Sequence, residues 1–153
     1  MSGRIRVKVM PVSPLIGSAI DLPAYATAGS AGMDLRACIE EPVTIPPGGR
    51  ALIPTGIAIQ LPSPEIGAFI FARSGLAAKY GIHLSNGVGV VDSDYTGEIK
   101  CALTNGGGEP YTVSPGDRIA QVVFLPVYLA DLVLVDALER TARGAGGFGH
   151  TGI

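Results

Sequence analysis

The residues from Asn86 to Glu98, NGVGVVDSDYTGE, set two acids and a tyrosine beside a glycine-rich turn, and chemistry is expected there. In a strand-rich background the Asn86-Gly87 pair predicts a β-hairpin. Gly89 would let the backbone approach a flat ligand that a side chain would hold away. Asp92, Asp94 and Tyr95 follow at once. Alone, an Asp-Ser-Asp-Tyr run is more often a solvated turn than a site, so its weight depends on the rest of the chain.

The tail from Ala142, ARGAGGFGHTGI, is the second chemical feature. Gly144, Gly146 and Gly149 imitate a dinucleotide fingerprint, but that motif works only between a strand and a long helix, and this stretch offers neither. A better reading is a flexible arm. Arg143 offers a bidentate fork to phosphate, Phe148 a ring to stack, and the glycines let the arm fold over a ligand. A disordered terminus is the plain alternative.

Any anionic ligand must be met locally, because a net charge of −2 and a pI near 5.6 leave no general basic surface for a nucleic-acid polymer. The basic start, MSGRIRVKV, lacks an apolar core and cleavage pattern, so a cytoplasmic location is the default expectation. No apolar run reaches membrane-spanning length. A mean hydropathy of +0.39 therefore points to apolar surface hidden between subunits. Cys38 and Cys101 fit no metal-ligand spacing and are expected to pack as reduced apolar side chains.

The elements that must position these groups read mostly as strands. IRVKVM, RALIPTGIAIQL, AFIFA, GEIKCALTN, YTVS and RIAQVVFLPVYLADLVLV are short apolar or alternating runs punctuated by Pro, Gly and Asn. Helix is expected over Gly75 to Lys79 with Ser74 as N-cap, and more weakly near Ala130 to Leu138. The chain reads as one all-β sandwich or jelly-roll domain, residues 1–141, with residues 142–153 as a detachable arm.

Three further clusters complete the pattern: GSAGMDLRA around Asp34, RSGLAAKYGI from Arg73, and PGDRIAQ from Pro115 to Gln121. With the 86–98 segment and the tail, they resemble, in order and across nearly the whole length, the five motifs of the trimeric dUTP pyrophosphatases. The resemblance implies a jelly-roll homotrimer that cleaves dUTP between the α and β phosphates, giving dUMP and pyrophosphate with Mg²⁺ on the triphosphate. That reaction limits uracil in DNA and supplies dUMP for thymidylate synthesis.

By the same resemblance, Asp92 is the acid that orients and deprotonates the attacking water. Tyr95 lies against the deoxyribose and excludes a ribose 2′-hydroxyl. Asn86, Gly87, Gly89 and the backbone to Val91 read uracil, with Phe148 covering the base. Arg73, Ser74, Gly75 and Gln121 meet phosphate, and Arg143, Gly146 and Gly147 close on the γ phosphate. Asp34 holds Mg²⁺ through its water shell, which suits a hard cation that dehydrates reluctantly. Each site is assembled from three chains.

Arg118 is expected to pair with Asp117 or another buried acid and hold the site together. His83 reads as structural. Ala72 stands where the family commonly has proline and His150 where it commonly has serine, and neither change removes a functional group. Two alternatives stay open: dCTP deaminase, which shares the fold but needs a general-base glutamate at the pyrimidine, and a non-catalytic nucleotide sensor on the same trimer.

Overall fold

A computed structural model describes residues 4–148 and His150. Expectations that fall on Met1 to Gly3, Gly149 and residues 151–153 lie outside the described residues. Ten strands and one helix are formed: β1 Lys8–Pro11, β2 Met33–Arg36, β3 Val43–Ile45, β4 Arg50–Gln60, β5 Ile66–Ala72, α1 Ser74–Tyr80, β6 Ile82–Leu84, β7 Gly89–Val91, β8 Glu98–Asn105, β9 Tyr111–Val113 and β10 Arg118–Pro126. One sheet runs β1-β4-β8-β6, a second β2-β10-β5-β7, and β3 pairs with β9; all strand pairs are antiparallel. This is the jelly-roll architecture expected from the strand pattern.

The period of two in β8 explains its place. Ile99, Cys101, Leu103 and Asn105 point inward and are buried, while Lys100 faces out. Ile99, Cys101 and Leu103 meet Leu35, Ile53, Ile70, Leu84 and Val122 in one apolar core fed by both four-stranded sheets. Asn105 is fully buried, and its amide nitrogen donates to Ile45 O at 2.9 Å and Glu109 O at 2.7 Å while its oxygen accepts from Gly107 N at 2.9 Å. A buried amide so paired ties the end of β3 to the loop between β8 and β9, and leaves no polar atom of its side chain unsatisfied.

Both cysteines are free and buried. Burial pushes the Cys101 thiol up to about 12 from an ordinary 9.0. The fold keeps a proton that the unfolded chain releases, so stability falls as pH rises from about 9 toward 12. Iodoacetamide at mildly alkaline pH should leave Cys101 unmodified in the native protein and label it in denaturant; equal labelling rates would contradict the packing.

Three expectations are corrected here. Arg73 is the N-cap of α1, and Ser74 is its first, exposed residue, making no capping hydrogen bond. Residues 130–138 are not helical: Val133 and Val135 are poor helix formers, and Leu132 to Val135 make a continuous apolar run rather than one face. Nor does the last strand continue to Val135. It ends at Pro126, and from Tyr128 onward the chain leaves the sheets with its apolar side chains in water: Leu132 is 95% and Leu134 101% exposed. A large apolar groove of about 990 Å³, walled by Ile5, Val7, Val9, Leu22, Tyr25 and Phe124, is also open. Among the described residues no helix is long and apolar enough to cross a membrane.

Candidate active site

Strand β7 pairs with β5, setting Gly89 opposite Ile70 and Val91 opposite Ala68. Val91 is buried, and at Asp92 the chain turns out of this sheet and crosses to β8 in the other. The crossover is pinned by Tyr95 N donating to Asp92 O at 3.2 Å. It walls a pocket of about 270 Å³ shared by Asn86, Gly89, Val91, Asp92 and Tyr95, with Ile70 and Ile99 as apolar lining. That volume lies near the lower end of small-ligand sites.

Asp92 is exposed at the rim, and its carboxylate makes no hydrogen bond or ion pair among the described residues, so both oxygens are free to accept from water. Tyr95 is 48% exposed, and its hydroxyl donates to Glu98 O at 3.0 Å. Its ring therefore folds back along the chain, over Gly97.

The Asn86-Gly87 turn forms, with Gly87 at φ +73° and its N–H donating to Leu84 O at 3.0 Å. It is not a hairpin: β6 pairs with β8 and β7 with β5, so the turn passes the chain between sheets. A Cβ at Gly89 would approach Ile70 Cβ to 3.1 Å, so close packing between strands also uses the missing side chain.

The second group of residues lies on β2, β10 and the end of β5. Register sets Gln121 opposite Asp34 on one side and Phe71 on the other, one residue from Ala72 and two from Arg73. Arg73 Nε donates to Asp34 Oδ1 at 2.9 Å, and Arg118 Nη1 to Asp34 Oδ2 at 3.3 Å. Arg73 also reaches Arg118 O at 3.3 Å. Arg118 thus pairs with Asp34, not its neighbour Asp117, whose carboxylate accepts from Ser114 N. Gln121 Nε2 donates to Ala72 O at 3.1 Å, and Ser74 and Gly75 stand exposed at the start of α1.

Among the described residues no cluster of three or more His, Cys, Asp or Glu side chains could hold a metal directly. Asp34, with its side chain 20% exposed, keeps a second lone pair on each arginine-paired oxygen. This donor set fits a hydrated Mg²⁺ held through water and ligand phosphates rather than in a protein cage.

In the arm, Arg143 Nε donates to Gly146 O at 2.8 Å and Phe148 is fully exposed. Gly147 is exposed too. The pocket strand β7 and the strands that carry the arginine–Asp34 group share one sheet, but among the described residues no side-chain hydrogen bond or ion pair links the pocket, that group and the arm. Glu98 and Lys100 line the pocket and were not singled out from sequence. Their alternation along β8 is the signal that places them on one face.

The dUTPase family model matches residues 18–152. The deoxyuridine 5′-triphosphate nucleotidohydrolase of Desulfitobacterium hafniense (strain DSM 10664 / DCB-2) is 56% identical over 149 residues, 97% of each chain. A solved point mutant of the Staphylococcus bacteriophage 80alpha dUTPase with dUpNHpp superposes with a TM-score of 0.84 at 22% identity, over 97% of this chain and 99% of that one. A point mutant of the dUTPase of phage phi11 of S. aureus, whose structure reveals coordination of a structural Mg(II) ion, gives a TM-score of 0.75 at 20% identity over 88% of this chain and 99% of that one. The fold and these relatives define a jelly-roll hydrolase of nucleotide metabolism. The chain belongs to the dUTPase family.

Proposed function

We propose that the chain hydrolyses dUTP to dUMP and pyrophosphate, with Asp92 orienting and deprotonating the water that attacks the α phosphorus. The observation that carries this reading is the pocket walled by the Asn86–Tyr95 segment, with an unpaired carboxylate at its rim. Water oxygen bonds to the α phosphorus, its proton passes to Asp92, and the bond to the α–β bridging oxygen breaks, releasing pyrophosphate.

Uracil is read by the backbone from Gly87 to Val91 and by Asn86. Cytosine would present an amino donor to a fixed donor, at a cost of a few kcal/mol. Tyr95 packs on the deoxyribose. Arg73, Ser74, Gly75 and Gln121 meet the α and β phosphates, and Arg143, Gly146 and Gly147 the γ phosphate, while Phe148 caps the base. Mg²⁺ on the triphosphate would neutralise negative charge on the phosphates, with Asp34 holding its water shell. Asp34 also keeps Arg73 and Arg118 in place as a pair. The reaction removes dUTP from the DNA precursor pool and supplies dUMP for thymidylate synthesis.

We further propose a homotrimer in which pocket, phosphate group and arm of one site come from different subunits. Two observations favour it: among the described residues no side-chain hydrogen bond or ion pair joins the three groups, and the apolar segment after Tyr128 lies in water unless a neighbour covers it. A monomer active at high dilution would refute this. The reaction is tested by offering dUTP, dCTP, dTTP and UTP with Mg²⁺ and identifying products. Pyrophosphate from dUTP alone is expected; ammonia released from dCTP would make the chain a deaminase, and binding without turnover a sensor.

A further inference from the structure

We propose that Gly97 sets the discrimination between deoxyribose and ribose, by leaving the space into which the Tyr95 ring folds. The inference rests on the reading that this ring packs on the sugar. A Cβ at Gly97 would lie 2.6 Å from Tyr95 Oη, 2.7 Å from Cζ and 3.0 Å from Cε2, closer than such atoms approach. Gly97 is not at a positive φ, so space rather than backbone conformation calls for glycine here.

The ring is held from its other end by the hydroxyl bond to Glu98 O, 3.0 Å long. These two devices lie within three residues of Tyr95 and need no distant support. Together they fix a half-exposed ring that little else restrains. Excluding one hydroxyl demands such precision, because a wall displaced by a fraction of an ångström no longer collides with it. Gly97 is thus a positioning residue acting through Tyr95.

In Gly97→Ala the crowded atoms belong to the far end of an exposed side chain, so the ring swings aside while β8 stays in register. The ratio of kcat/KM for dUTP over UTP should fall about tenfold or more, with the thermal midpoint little changed. Tyr95→Phe removes the hydroxyl bond without adding volume and should lower the ratio by a smaller factor. If Gly97→Ala fails to fold, Tyr95→Phe decides by itself. Tyr95→Ala separates the two levels. Should it leave the ratio unchanged, the ring does not select the sugar and both readings fall. Should it lower the ratio while Gly97→Ala and Tyr95→Phe leave it intact, only the role of Gly97 and its latch is overturned.

Discussion

Asp92→Asn lowers kcat for dUTP about 10²-fold or more, the usual size of a general-base effect, while the protein keeps its fold and its KM changes little. The asparagine has the same shape and still orients water through its carbonyl oxygen, but it cannot take up a proton at neutral pH. Nothing is lost on the folding side, because the native carboxylate is exposed and bonds to no other described group. Single-turnover formation of dUMP, measured beside KM and the thermal midpoint, separates a chemical defect from a structural one. A loss smaller than about fivefold would assign the proton to another acceptor.

Ending the chain before Arg143 abolishes turnover and leaves the assembled protein intact. Among the described residues the arm's hydrogen bonds are local, Arg143 to Gly146 O and Gly144 N to the hydroxyl of adjoining, exposed Thr141, so its removal uncovers no core. On the proposed reading, what disappears is a guanidinium fork for the γ phosphate, glycine amides beside it and a ring over the base, together with the exclusion of bulk water that strengthens all charge stabilisation in the site. Sedimentation of the shortened protein should match the full chain. Full turnover by the shortened form would remove the arm from the reaction.

Much of this was legible in the sequence because chemistry and burial constrain residue types tightly. Ile99, Cys101 and Leu103 alternate with outward-facing residues, so β8 can be read directly, and five segments in family order point to the family and to the proposed site residues. Pairing was not legible. Arg118 joins Asp34, 84 residues away, although Asp117 adjoins it in the chain, because strand register, not sequence distance, brings β2 beside β10. The Asn86-Gly87 signal reported a turn correctly and its context wrongly, since local turn chemistry cannot tell which sheet the next strand will join. Ser74 has the side chain of a capping residue, yet the extended backbone falls one position earlier, at Arg73.

The apolar stretch from Tyr128 to Leu138 has a consequence for how the protein comes into being. A newly made copy displays a band of leucine and valine that would adhere to any bare strand edge it encounters, its own kind or another's. If the proposed trimer covers that band, maturation becomes a race between correct partnering and clumping, and scarcity of sister copies would limit the yield of working enzyme.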